Sequence, residues 1–140
     1  SIYEKIIIMS KVVKLPQFND KRGSLSVLEC MKDIPFTIKR SYWVYGVPND
    51  VCRGGHAHKI CNEFIVAVKG SFIVTLDNGY ERHSYKLDSP CSGLIVSTDT
   101  WHELSSFSSD AVCVVFSSHE YDSTDYIRTY KEFQEYINCK

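Results

Sequence analysis

His56 and His58 stand two positions apart in the run Arg53-Gly54-Gly55-His56-Ala57-His58. On an extended strand, residues i and i+2 share a face. Both imidazoles therefore project to one side, and the small Ala57 faces the opposite layer. Glu63 follows five residues after His58, and His102 lies farther downstream. Three imidazoles and a carboxylate can do two kinds of chemistry. They can hold a divalent metal such as iron, manganese or nickel. Without metal they can do general acid/base work, because an unperturbed histidine titrates near pH ~6.5. The spacing alone does not choose between the two. Glu63 has a further reading, in which it hydrogen-bonds one histidine and sets its tautomer. His83 and His119 fall outside the pattern and read as surface or packing residues.

A second candidate group lies upstream, in Arg40-Ser41-Tyr42-Trp43-Val44-Tyr45. Alternation puts Arg40 and Tyr42 on one face, opposite Trp43 and Tyr45. A buried arginine needs an anion, so a polar cavity shared with Tyr42 is consistent. Aromatic residues on such a strand are more often plain core.

The elements that would carry these side chains are strands. Short apolar runs alternate with turn signals at intervals of roughly eight to twelve residues, the pattern of a sandwich or barrel. Strands are expected over 11–15, 25–30, 38–45, 63–68, 72–77, 81–87, 93–97 and 111–117. The segment 46–55 reads as a loop and 20–23 as a turn. Lys69-Gly70-Ser71 and Asn78-Gly79 read as hairpin connections. Ile127, Tyr130, Phe133 and Ile137 recur at helical spacing, with cap candidates at Asp122-Ser123-Thr124-Asp125. The class expected is all-β, two antiparallel sheets with one C-terminal helix.

The chain has 140 residues, enough for one domain, expected over 11–140 behind an extension at 1–10. Sixteen basic and 17 acidic side chains give a net charge of −1, which argues against a broadly basic nucleic-acid or anionic-membrane binder. The longest apolar runs are too short to span a membrane. Ile6-Ile7-Ile8-Met9 is too short for the apolar region of a secretory leader. The six cysteines contain no C-x-x-C pair. They read as reduced, mostly buried thiols of a cytoplasmic protein. Aromatic residues reach 13%, enough to fill a barrel and leave some for a ligand cavity.

The order His56, His58, Glu63, Gly70, then Gly93 and His102, resembles the two-motif signature of the cupins, small jelly-roll barrels. The second motif departs from that pattern, with Asp99 and Trp101 where proline and glycine are usual. In cupins the two segments face one another, so the resemblance implies one cavity for His56, His58, Glu63 and His102. A longer set of segments is more specific. These are Asp20-x-Arg22-Gly23-Ser24-Leu25, Ile34-Pro35-Phe36-x-Ile38-Lys39-Arg40, Arg53-Gly54-x-His56-Ala57-His58-Lys59, Leu87-Asp88-Ser89-Pro90, Trp101-His102-Glu103 and Tyr121-Asp122-x-x-Asp125-Tyr126-Ile127-Arg128. Together they resemble the sugar nucleotide 3,4-ketoisomerases, WxcM-like cupins acting on dTDP-4-keto-6-deoxyglucose.

That resemblance implies a reaction moving the ketone from C4 to C3, toward 3-amino-3,6-dideoxy sugars of surface polysaccharides. It implies His56 as base and shuttle, Tyr42 as hydrogen-bonding or relay partner, and His58 as orienting or relaying neighbour. Arg22, Arg40 and Arg53 become candidates for the pyrophosphate, whose oxygens match the guanidinium fork. Glu63 and His102 would line the substrate cavity. Arg128 reads equally as a salt-bridge partner of Asp122 or Asp125. No redox cofactor is needed, and a divalent metal is possible but not favoured. Family members are homodimers with exchanged N-terminal strands, which lets Arg22 cross the interface. The competing readings are a metal-dependent dioxygenase-like cupin, a non-catalytic sugar-nucleotide module and a 3,5-epimerase.

Overall fold

A computed structural model describes residues 8–140, and most of the expected extension at 1–10 lies outside them. In chain order the strands are β1 (Lys11–Lys14), β2 (Gln17–Asp20), β3 (Gly23–Ser26), β4 (Arg40–Tyr45), β5 (Arg53–His58), β6 (Glu63–Lys69), β7 (Phe72–Asp77), β8 (Arg82–Leu87), β9 (Ser92–Val96), β10 (Trp101–Ser105), β11 (Val112–Ser117) and β12 (Tyr126–Ile127). One helix, α1, spans Tyr130–Asn138. Two five-stranded antiparallel sheets form a jelly roll, in the orders β1-β9-β6-β11-β4 and β12-β5-β10-β7-β8. The expected all-β architecture with a C-terminal helix is the one observed.

Period-2 alternation drives the two sheets together. Ile65, Ala67, Val74, Leu94, Cys113 and Val115 point between them and are buried, with Phe72 stacked on Phe107 at 5.2 Å between ring centroids. Each of the larger side chains among them, Ile65, Val74, Leu94, Val115 and Phe72, contributes about 1.5–3 kcal/mol through burial. A second cluster, built on Ile34, Phe36, Phe64 and Ile95, covers the outer face of the first sheet. A third, of Ala57, Trp101, Ile127 and Phe133, seats α1 on the outside of the second sheet.

Several expectations are corrected. The turn at Lys69-Gly70-Ser71 is not a hairpin, because β6 and β7 belong to opposite sheets. Gly70 has φ +65°, and a Cβ there would collide with Ser108 Oγ. The chain thus turns a corner against the 107–111 loop, held by Ser71 N–H to Ser108 Oγ at 2.9 Å. Asn78-Gly79 does close a hairpin, but as four residues, with the Asn78 side chain accepting from the Tyr80 and Glu81 N–H groups. The strand expected over 25–30 stops at Ser26, since the chain leaves to plug the outer face with Ile34 and Phe36. β5 begins at Arg53, inside the stretch expected to be loop. The helix begins at Tyr130 and not at Ile127, which pairs with Ala57 in β12. Its cap is Thr129, whose side chain accepts from Glu132 N–H, while Asp122 caps the short turn Ser123–Asp125.

The cysteines are unpaired, but only Cys61 and Cys113 are buried, and Cys30, Cys52 and Cys139 are exposed. The aromatic residues divide more evenly than expected. Phe18, Trp43, Tyr45, Tyr80 and Tyr121 are all exposed.

Candidate active site

Six strands, three from each sheet, bring the polar cluster together. His56 and His102 are directly paired across β5 and β10, and His58 is paired with Tyr126 of β12. Their ring centroids lie 4.4 Å apart for His56–His102 and 5.0 Å for His56–His58. The strand can deliver both imidazoles inward because β5 bulges at Gly55, beside Gly54, which takes φ +79° and where a Cβ would meet His102 O at 3.0 Å. The opposite sheet supplies Glu63. Arg40, Ser117 and Glu63 sit in one cross-strand row of β4, β11 and β6.

Glu63 is the hub. It is 1% exposed, among the most buried residues in the molecule. Its Oε2 accepts from the Tyr42 hydroxyl at 2.9 Å and from Ser117 Oγ at 3.0 Å. Its Oε1 faces His58 Nε2 at 3.2 Å and His102 Nε2 at 3.6 Å. Burial alone would raise this carboxyl. The His58 contact, the neighbouring imidazoles and Tyr42 outweigh it and hold the group down to about 2.

The three histidines are set apart by their surroundings. Burial, then the His102 and His58 charges, push His56 down to about 3, so its imidazole is uncharged near neutrality. His102 is lowered chiefly by burial and contacts Thr100 O through Nδ1 at 3.4 Å. His58 is buried too, but Glu63 and Asp125 outweigh that and raise it. Its Nδ1 lies 2.8 Å from Asp125 Oδ2. Tyr42 is pushed strongly upward by burial and by the Glu63 charge, and keeps its proton.

The donor set also suits a divalent ion. One ligand atom each from His56, His58, Glu63 and His102 lies within 4.8 Å of the others. His56 Nε2, His58 Nε2 and Glu63 Oε1 are buried with no hydrogen-bond partner. An ion held there would supply Lewis-acid polarisation of a carbonyl or enolate oxygen.

Arg40 lies beside Tyr42 and Ser117. Its guanidinium lies 5.4 Å from the ring centres of both Tyr42 and Tyr121, and its Nη2 reaches Ser117 Oγ at 3.5 Å. Its Nε is buried without a partner. Alternation along β4 keeps Arg40 and Tyr42 half-buried on the inner face while Trp43 and Tyr45 face solvent. Arg53 is exposed at the start of β5. Arg22 is exposed at the β2–β3 turn and bonded to Asp20 at 2.6 Å; none of its hydrogen bonds reaches the cluster. Arg128 lies over the Tyr126 ring at 4.3 Å and bonds to Tyr121 Oη, not to Asp122 or Asp125. His83 and His119 are exposed, away from the cluster.

Asp125, Ser117 and Tyr126 join the site without being singled out by the sequence pattern. Asp125 reads as a helix cap from sequence, and nothing in its spacing marks it as buried beside His58. Ser117 alternates with Val115 on β11, which gives a weak signal for its inward face.

The chain resembles several characterised proteins. A family model described as FdtA, WxcM-like, C-terminal, matches residues 9–138. A TDP-4-oxo-6-deoxy-alpha-D-glucose-3,4-oxoisomerase of Aneurinibacillus thermoaerophilus is 44% identical over 128 residues, spanning 91% of this chain and 92% of that protein. A crystal structure of a 3,4-ketoisomerase from Helicobacter canadensis superposes with a TM-score of 0.90 at 38% identity, covering 92% of this chain and 97% of the other. The ketoisomerase QdtA from Thermoanaerobacterium thermosaccharolyticum, solved with TDP, gives 0.90 at 33% identity, covering 93% and 95%.

Proposed function

The chain belongs to the WxcM-like, C-terminal (FdtA) family of sugar nucleotide 3,4-ketoisomerases, and from that premise we propose that it moves the ketone of dTDP-4-keto-6-deoxyglucose from C4 to C3. The product, a 3-keto sugar nucleotide, is suited to amination toward 3-amino-3,6-dideoxy sugars of surface glycans. The reaction passes through an enediol(ate): one proton leaves C3 and one is delivered to C4, while the hydroxyl proton passes from O3 to O4. The C3 proton is acidified by the neighbouring C4 carbonyl, so a modest base suffices.

The observation that carries this reading is the uncharged, unpartnered imidazole of His56. His56 takes the C3 proton and returns it at C4. Negative charge growing on the enediolate favours the imidazolium so formed, which offsets the low starting basicity of His56. Tyr42, bonded to Glu63, offers its oxygen lone pairs to a substrate hydroxyl. General acid/base catalysis of this kind supplies about 10²–10⁴-fold. Glu63 and His102 shape the floor, and His58 orients Glu63. Arg40, with its open buried Nε, and the exposed Arg53 take the diphosphate.

Arg22 would join them from a partner subunit. The β2–β3 ribbon stands apart from both sheets with Phe18 and Leu25 exposed, and Trp43 and Tyr45 form an exposed aromatic pair on β4. This surface supports a homodimer built through the N-terminal strands. Unpaired thiols fit a cytoplasmic setting.

The chemistry requires no redox step, and we favour isomerisation without a metal. The second reading, a metal-dependent cupin enzyme, is favoured by one observation, the convergence of orphaned donors from His56, His58 and Glu63. Metal analysis with turnover before and after exhaustive chelation separates them. Full turnover by metal-free protein supports the first reading, and stoichiometric iron with activity lost on chelation supports the second. Nucleotide-sugar binding without any turnover would make the chain a binding module.

A further inference from the structure

Asp125 takes no part in the reaction as described, yet it is 6% exposed and fully engaged. It ends the short turn Ser123–Asp125 and leads into β12, which pairs with β5 at Tyr126–His58 and Ile127–Ala57. Its Oδ1 accepts from Lys59 N–H at 2.9 Å and from Ile60 N–H at 2.7 Å. Its Oδ2 lies 2.8 Å from His58 Nδ1. Two backbone donors on one oxygen prevent the carboxylate from rotating. The other oxygen, an acceptor, then requires a proton on His58 Nδ1. This fixes the ring, and Nε2 is left facing Glu63 Oε1 at 3.2 Å.

We propose that Asp125 is a positioning residue of the isomerisation. It acts through His58 on Glu63, and through Glu63 on the Tyr42 hydroxyl. The contacts run Asp125–His58 at 2.8 Å, His58–Glu63 at 3.2 Å and Glu63–Tyr42 at 2.9 Å, crossing from one sheet to the other. No other acceptor is bonded to His58 Nδ1 among the described residues. The aromatic neighbours of the ring are His56, His102 and Tyr126, at 5.0, 5.9 and 4.4 Å between centroids. Without Asp125 the ring keeps its Glu63 contact at Nε2 but loses its acceptor at Nδ1. The role rests on the ketoisomerase reading.

Asp125→Asn is diagnostic because an amide has one acceptor oxygen where the carboxylate has two. The Lys59 and Ile60 N–H groups keep that oxygen, and the amide NH₂ turns toward His58 Nδ1. His58 must then accept at Nδ1 and carry its proton on Nε2. The experiment measures kcat and KM for dTDP-4-keto-6-deoxyglucose, together with ¹⁵N–¹H correlation of the His58 ring, in wild type, Asp125→Asn and Asp125→Glu. We expect kcat of Asp125→Asn to fall about 10–100-fold, the range seen when a residue orienting a functional histidine is lost. KM should stay within about twofold, because uniform binding is untouched. The Nδ1 proton of His58 should be lost in Asp125→Asn, leaving the ring protonated on Nε2 alone. Asp125→Glu, which restores two acceptor oxygens, should regain part of kcat.

Wild-type kcat in Asp125→Asn would overturn the role. If the variants fail to fold, the wild-type spectrum decides, and a bare His58 Nδ1 overturns the role while a protonated one supports it. Wild-type turnover separates the two readings. Its absence overturns the ketoisomerase reading and this role with it. Its presence beside an unimpaired Asp125→Asn overturns the role of Asp125 alone.

Discussion

The hydroxyl of Tyr42 donates to Glu63 Oε2 at 2.9 Å although β4 and β6 are not neighbouring strands. Between them runs β11, whose Ser117 donates to the same oxygen at 3.0 Å. Tyr42 thereby keeps its proton on the Glu63 side. Tyr42→Phe should lower kcat by about 10²-fold or more, the low end of what acid/base groups supply. It should lower stability by only about 1–2 kcal/mol, because Ser117 still bonds the carboxylate. Steady-state turnover and urea unfolding check both, and a variant with more than a third of wild-type kcat would remove Tyr42 from the chemistry.

His56→Asn should reduce turnover to background while leaving the melting temperature within a few degrees. The second half follows from His56 Nε2 having no partner to lose. A cooperative melt beside an activity assay gives the answer, and retained turnover would mean another base.

Arg40→Lys keeps the charge but loses the planar fork. One or two charge-assisted bonds to the diphosphate should go, each worth about 1.5–3 kcal/mol. Calorimetric binding of TDP should weaken by about 10-fold or more, with kcat less affected than KM. Unchanged TDP affinity would assign the diphosphate elsewhere.

Asp77 offers a stability test outside the site. Burial pushes its carboxyl up, but the Tyr130 hydroxyl at 2.7 Å, the Gly79 N–H at 2.7 Å and Arg82 at 3.1 Å outweigh burial and hold it below its ordinary 3.8. A depressed carboxyl stabilises the fold above its unfolded value and loses that stabilisation as pH falls through the folded one. Asp77→Asn should therefore be less stable than wild type near pH 7, with the gap closing below about pH 4. Chemical unfolding across pH checks it, and a gap that widens in acid would contradict it.

Much of the site is written in local pattern. His56 and His58 share a face because strands have period two, and Gly54 lets β5 enter with that face inward. Arg40 and Tyr42 follow the same rule. The hidden parts depend on partners distant in the chain. β2 carries Gln17, Asn19 and Asp20 and is exposed throughout, so no apolar alternation announces it. β10 holds His102 but begins straight after a turn, and its existence depends on pairing with β5 and β7. Gly70 looks like a hairpin glycine, and only its fit against Ser108 shows that the chain changes sheets there. Asp125 carries a cap-like sequence signature, and only the pairing of β12 with β5 brings it to His58.

In the proposed reaction His56 moves a proton between C3 and C4 of a keto sugar nucleotide. NMR of dTDP-4-keto-6-deoxyglucose incubated with the protein in deuterated water tests it most directly. The predicted result is migration of the ketone to C3 with hydrogen newly bound at C4, lost in His56→Asn. Deuterium uptake at C3 with the ketone still at C4 would contradict it.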